Sequence, residues 1–559
     1  MGKYNSKKES VKPTSVNFMG EQAFKLADKE ELVSTVMTTF LQNSYYESES
    51  EIVERIKDLV EKVDPLFVAK LAVYARNEGN LRSVTHLLSA LLAKYAAGTD
   101  WSKRFYNKIV VRPDDMSEIV SAYASLNGMG LNEIHKIPNA IKKGFKEALE
   151  RLDAYQIDKY KMQNREVSLI DLVRFFHPKG NEKNAEAYKR LVNGESLADL
   201  YTSKVFEKEM TKAGQVTKDA TQEEKDEAKR EAITAVLDNV KGMPVMNLLR
   251  NLRNILLYAP DKVADACEQL QIEKKILNSR LLPFRFATAY AEIEKVDYDD
   301  TKSKVTTDIV FESEASKSKV SKEDFNTLKQ NLLDAIEGAI EIACQNIPEL
   351  DGNCAILVDD SGSMRGDGGG HSRVSAFSAT NSSMIAHLFA SMMAWRQHDV
   401  YVGLFGDRLI QVPYKRDVKL LDFNKESYKI GERCGGATEN GIYTFLEKVV
   451  EEKKKIDNII VFSDCQIGRG GYSGFTSWYG TSYDKRSPHF HELFKEFRKI
   501  NPNANFIVVN IRQSGGTSVF DKSQRILNIA GWSDKIFDTI KSQCKGWDAI
   551  IKEIEAIEL

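Results

Sequence analysis

The chain has 559 residues, more than one hydrophobic core usually serves, so two or three domains are expected. Its 42% hydrophobic and 29% charged residues exclude a disordered chain. No apolar run reaches membrane-spanning length. A formal net charge of −2 excludes nucleic-acid binding through overall charge, so any such binding needs a local basic surface.

The first 18 residues are polar and expected to be flexible, and the first eight hold no apolar core for a signal peptide. From residue 19 to 350 the pattern is helical. Ile52, Val53, Ile56, Leu59, Val60 and Val63 recur at helical spacing, as do Phe67, Leu71, Ala72 and Ala75, then Leu87, Leu88, Leu91, Leu92 and Tyr95. Short breaks at Asp64-Pro65, Glu78-Gly79-Asn80 and Gly98-Thr99-Asp100 separate the runs. Paired helices with short turns point to a stacked, HEAT-like helical-repeat domain. Residues 211–231 and 297–325 are very polar and read as excursions from it. Pro348 marks the boundary to a second domain over 351–559.

Beyond residue 350 the pattern alternates. Strands are expected at 354–358, 400–405, 458–463 and 505–511, with an antiparallel edge partner at 408–412. Helices are expected at 375–397, 439–454, 488–500 and 544–557. This order implies a doubly wound α/β domain with a mostly parallel sheet. The six cysteines, Cys267, Cys344, Cys354, Cys434, Cys465 and Cys544, show no paired spacing, which fits reduced thiols in a cytoplasmic protein.

The chain's organising stretch is Ala355-Ile356-Leu357-Val358-Asp359-Asp360-Ser361-Gly362-Ser363-Met364, a buried strand ending in hard oxygen donors. Open α/β sheets place ligands at that end. Asp359, Ser361 and Ser363 form a D-x-S-x-S array that suits a small hard cation, Mg²⁺ or alternatively Mn²⁺. Thr438, in the turn Gly435-Gly436-Ala437-Thr438-Glu439, offers another hydroxyl, and Asp464 ends the apolar strand from Ile459. Together Asp359, Ser361, Ser363, Thr438 and Asp464 resemble the metal-ion-dependent adhesion site of von Willebrand A-like domains. That resemblance implies an open coordination position for a partner's carboxylate. Two unusual loops sit at the same end: Arg365 to His371, and the Gly/aromatic stretch 466–484.

The order of helical repeat then metal-site domain resembles the Ro autoantigen family, whose helical part is the TROVE domain. The resemblance rests on Ser168 to Lys179 (SLIDLVRFFHPK), Pro244 to Leu252 (PVMNLLRNL) and Leu282-Pro283-Phe284-Arg285. It implies a monomeric ring of helices bridged by the A-like domain. Small structured Y-type RNA would bind a basic outer surface, and single-stranded ends of misfolded RNA would enter the central hole. An exoribonuclease is an implied partner.

The residues themselves supply a local basic surface. Residues 135–180 hold ten Lys or Arg against six acids. The candidate contacts are Lys136, Lys142, Lys143, Lys146, Lys159, Lys161, Arg165, Arg174 and Lys179; Arg151 completes the ten. Such a patch would give salt-sensitive, sequence-tolerant binding. His177 and Arg250 join the set through the family resemblance. A second reading keeps the A-like domain as a metal-dependent protein-interaction module on a helical scaffold without RNA. No enzyme is expected, because no nucleophile elbow, Walker loop, H-E-x-x-H or GxGxxG after a strand is found.

Overall fold

The structure, a computed structural model, describes residues 12–201, 221, 243–298, 321–366, 372, 380–436, 441–467, 489–519, 526–531 and 547–559, apart from 42–46 and a few single or paired positions within those stretches. Thr438, most of the polar stretch 211–231, most of 297–325 and most of both unusual loops lie outside the described residues.

Two short strands come first, β1 (Ser15–Val16) and β2 (Gln22–Lys25). Helices then follow: α1 (Asp28–Thr38), α2 (Glu49–Lys62), α3 (Pro65–Asn77), α4 (Ser83–Leu92), α5 (Ser102–Lys108), α6 (Pro113–Leu126), α7 (Asn139–Glu150), α8 (Ala154–Lys159), α9 (Leu169–Phe176) and α10 (Ala185–Asn193). Local chemistry sets their ends. Ser48 caps α2 in a capping box with Glu51, and Asp64 caps α3 ahead of Pro65 at its first turn. Within α2 the residues Ile52, Ile56, Leu59 and Val60 are buried, one face of a helix. Gly194 closes α10 at φ +75°, where a side chain would be strained.

A second helical group holds α11 (Val245–Tyr258), α12 (Val263–Gln271), α13 (Glu273–Ser279), α14 (Pro283–Glu294) and α15 (Lys322–Cys344). The α/β part follows as β3 (Cys354–Asp359), α16 (Gly362–Arg365), α17 (Ser382–Arg396), β4 (Val400–Phe405), β5 (Leu409–Gln411), α18 (Leu420–Gly431), α19 (Gly441–Glu451), β6 (Asn458–Ser463), α20 (Phe490–Ile500), β7 (Asn505–Asn510), β8 (Thr517–Ser518), β9 (Ile526–Ala530) and α21 (Trp547–Glu555). Six strands form one sheet in the order β5-β4-β3-β6-β7-β9, parallel except for the edge pair β4–β5.

Both faces of this sheet are covered. Ile356, Val358, Val402, Leu404, Ile460 and Phe462 share one core with α11 to α15, α17 and α18. The alternate residues Ala355, Leu357, Phe405, Ile459 and Val461 share another with α19 and α20. Period-two alternation with two apolar faces explains the near-continuous apolar runs of the strands.

The structure departs from the sequence reading at both ends of the chain. Residues 15–16, within the end expected to be flexible, and 22–25, expected to be helical, build a small antiparallel sheet β1-β2-β8 with Thr517–Ser518. Helix α21 leaves the α/β part, and its Ile550 and Ile554 enter the core of α1 to α10. The α/β region therefore touches both helical groups: the first through β2, β8 and α21, the second through α15 against α17 and α18.

Candidate functional site

Asp359, at the carboxyl end of β3, and Asp464, one residue past β6, are brought together by the parallel register of the two strands. Both are buried, as are Ser361 and Ser363. The two serine hydroxyls lie 3.1 Å apart, and the Ser361 amide donates to Asp359 Oδ1 at 2.9 Å. The Gly362 amide donates to the Gly436 carbonyl at 2.7 Å, which draws the turn that precedes Thr438 against the same loop. Four of the five expected metal donors thus belong to one constellation, and Thr438 lies outside the described residues.

The electrostatics of this constellation set two buried carboxylates against each other. Burial and the neighbouring Asp464 charge push the Asp359 carboxyl upward, although Ser463 Oγ donates to its Oδ2 at 2.6 Å. Burial also raises Asp464, against a hydrogen bond from Ser363 and the nearby Arg512. Two buried carboxylates side by side are costly unless one is protonated or a cation lies between them. Two carboxylates with two hydroxyls form an all-oxygen donor set, which fits Mg²⁺ or Mn²⁺ and not zinc. No cluster of three or more His, Cys, Asp or Glu side chains with metal-holding geometry occurs among the described residues, so the hydroxyls are essential to this fit.

Sequence reasoning missed the residue next door. Asp360 points to the opposite side and accepts from Arg365 Nη1 at 2.5 Å, Ser383 Oγ at 2.7 Å and His387 Nε2 at 2.9 Å. Burial alone would raise its pKa, yet His387 and Arg365 outweigh it and the net shift is downward. The Arg365 guanidinium also lies 4.1 Å from the centre of the Tyr428 ring. Gly431 is needed here, because a Cβ would stand 2.3 Å from Asp360 Oδ2. This network anchors the loop of Asp359 to Arg365 to α17 and α18. Ser383 and His387, four residues apart on one helix face, were a readable signal.

The basic candidates fall into three groups. Some are engaged already: Lys136 pairs with Glu133, and Lys161 pairs with Asp158 at 2.7 Å. Arg151 donates to the carbonyls of Asn107 and Val110 and serves the fold. Lys142 Nζ donates to the His135 carbonyl at 2.7 Å and lies 5.7 Å from the Phe175 ring, while Lys159 sits 5.5 Å from the Tyr155 ring. The third group, Lys143, Lys146, Arg165, Arg174, His177 and Lys179, has side chains without an ion pair or hydrogen bond among the described residues.

Helix α7 carries Lys143 and Lys146, and α9, packed against it, carries Arg174 and ends at His177. Gly144 lets α7 lie close on α5, where a Cβ would meet Tyr106 Cβ at 2.5 Å. Tyr106, Phe145 and Phe176 then stack edge to face, so Lys143 and Lys146 turn away from the core. His177 ends α9 in the left-handed region at φ 46°. The Lys179 amide donates to Glu150 Oε1 at 2.9 Å, tying this turn to the end of α7. Arg174 and His177 line an open groove of about 590 Å³ with Pro178, Tyr188 and Val192. Arg250 is exposed on α11, in the second helical group beside α12 and α14 rather than on α7–α9.

Fold and sites define a mostly helical protein with a mixed-sheet α/β region and a concentrated basic surface. The chain belongs to the TROVE domain family, whose profile matches residues 21–241 and 228–352. That family is one of RNA-binding ribonucleoprotein components. Telomerase protein component 1 of Mus musculus is 23% identical over 304 residues, 42% of this chain and 11% of that protein. The protein of the same name from Rattus norvegicus is 28% identical over 98 residues, 18% of this chain and 4% of that protein. The chain thus spans only a small part of these relatives. The crystal structure of the Deinococcus radiodurans RO (RSR) protein is similar with a TM-score of 0.56 at 15% identity, covering 93% of this chain and 100% of that one. At that identity the likeness is one of fold.

Proposed function

We propose that this chain is the RNA-binding scaffold of a cytoplasmic ribonucleoprotein that holds small structured, Y-like RNA on the α7–α9 surface. The observation that carries this reading is the set of cations at Lys143, Lys146, Arg165, Arg174 and Lys179, none of which has an acidic partner among the described residues. A basic side chain already paired to an acid must give up that partner to meet a phosphate; these need not. Stacking on His177 in the adjoining groove would suit an unpaired base. Single-stranded ends of misfolded RNA would be gripped separately, by exposed Arg250 on the second helical group. The scaffold would present such RNA to an exoribonuclease. Binding of a small stem-loop RNA at low salt, weakened by charge removal at Lys143 and Lys146, tests this reading. No affinity at low salt would refute it.

The α/β region, in this reading a von Willebrand A-like domain, would hold Mg²⁺ or Mn²⁺ through Asp359, Ser361, Ser363, Asp464 and Thr438. Such a cation would supply an open coordination position for a carboxylate of an acidic protein ligand. A second reading, favoured by the two adjacent buried carboxylates, makes that interaction the main task, without RNA. Partner capture that survives nuclease but is lost on chelation or in Asp359→Ala would support it over the first. In either reading the chain works by binding rather than catalysis.

A further inference from the structure

The loop that carries Asp464 is held from an unexpected direction. Asn17 Nδ2 donates to the Ile467 carbonyl at 2.8 Å, and the Phe18 amide donates to Gln466 Oε1 at 3.0 Å. The Gln466 amide in turn donates to Asp464 Oδ1 at 3.1 Å. One residue therefore links the chain's first turn to the candidate metal ligand: its side chain faces Phe18 and its backbone faces the carboxylate. Asn17, Gln466 and Ile467 are all buried, which shields the Asn17–Ile467 bond from water, while the Phe18–Gln466 bond is partly buried.

The first turn is itself locked to the α/β part. Asn17 Oδ1 accepts from the Glu21 amide at 2.9 Å. The fully buried Glu21 carboxylate accepts from Tyr443 Oη at 2.8 Å and meets His489 Nδ1 at 2.8 Å. A second arm runs along the neighbouring strand end. The Leu26 amide donates to the Gly516 carbonyl at 2.9 Å, and Phe24 and Lys25 pair with Ser518 and Thr517. That segment begins just after Arg512, the buried cation whose charge acts on Asp464. The described residues of this stretch, Asn17, Phe18 and Gly20 to Leu26, thus lie across the segments that follow β6 and β7, the edge where the candidate metal centre sits.

We propose that residues 17–26 are a positioning strap for this metal centre, so that metal occupancy and the seating of the first strands on the α/β region are thermodynamically coupled. The proposal rests on the metal reading above. Partners that orient a metal-ligating carboxylate commonly change metal affinity by tenfold or more. Coupling is reciprocal, so whatever tightens the ligand loop on a cation must also tighten the strap. Since the strap leads directly into α1, the cation would also steady the contact between the α/β region and the first helical group.

The test uses the full chain and Mn²⁺ alone, followed by the spin-resonance signal of the free ion. Asn17→Asp removes the donor to Ile467 but keeps the acceptor for the Glu21 amide. Gln466→Met keeps side-chain length but removes the acceptor for Phe18. Each should raise the Mn²⁺ dissociation constant about tenfold. Hydrogen exchange of the 17–26 amides in the unmodified protein is read alongside and needs no variant to fold. It should slow when Mn²⁺ is added and not respond in Asp359→Ala. Unchanged Mn²⁺ affinity in both variants, with exchange indifferent to Mn²⁺, would overturn the strap while leaving the metal site intact. A wild-type protein that binds no Mn²⁺ would overturn the metal reading itself, and the strap's role with it.

Discussion

Replacing Lys143, Lys146, Arg174 and Lys179 together by glutamine isolates the electrostatic part of RNA binding. None of the four side chains has an acidic partner among the described residues, so their removal strands no buried charge. Surface changes of that kind typically alter stability by no more than about 0.5 kcal/mol. If each cation neutralises one phosphate, each contributes about 0.7 to 0.9 to the slope of log affinity against log salt. Four lost contacts should flatten that slope by roughly three. Over a fourfold rise in salt, from about 50 to about 200 mM, the wild type should then lose roughly sixtyfold more affinity than the variant. Fluorescence anisotropy of a labelled stem-loop RNA across that range reads both slopes. Parallel lines, whatever their vertical offset, would refute the reasoning, because they would mean that these four groups release no counterions.

Other expectations follow from the buried features. Asp115 is fully buried and holds Arg76 at 2.9 Å and His86 at 2.9 Å, so Asp115→Asn should destabilise the first helical group by about 3–5 kcal/mol in chemical denaturation. Burial works to raise the Asp115 pKa, but His86, Arg76 and the Arg112 amide outweigh it and hold the carboxyl below its ordinary 3.8. Its stabilising contribution is therefore complete above that value and fades as pH falls below it, so the gap between wild type and Asp115→Asn should narrow in acid. Ile554→Ala should cost about 2–5 kcal/mol and expose α21 to protease before the rest of the chain, since Ile554 has no exposed surface within the core of α1 to α10. Adding Mn²⁺ at a hundred times its dissociation constant should stabilise the wild type by about 2.7 kcal/mol in a thermal melt. Asp359→Ala should show no such gain.

The sequence made the doubly wound region legible because its strands are buried on both faces. Four consecutive apolar residues before Asp359, and again before Ser463, cannot be read as a half-exposed strand. The same runs pointed to the carboxyl ends where the oxygen donors gather. Strands such as Ser15–Val16 and Thr517–Ser518 were not legible, since two residues carry no period. The placement of Ile550 and Ile554 among the first helices is a long-range packing fact with no local mark. Glu21 and His489 likewise become partners only when the chain folds back over more than 450 residues. On the basic surface, composition identified the cations but not their engagements. The spacing of Glu133 and Lys136, and of Asp158 and Lys161, was the local clue that these lysines are paired within their own turns. Arg151, bonded to two carbonyls of a neighbouring segment, gave no such clue.

Ultraviolet cross-linking of a bound stem-loop RNA, with the linked peptides identified by mass spectrometry, tests the central claim most directly. Adducts concentrated in peptides from 139–180, with His177 or its neighbours among them, are the expected result. Adducts confined to the α/β region, or none under conditions where the RNA binds, would contradict the account.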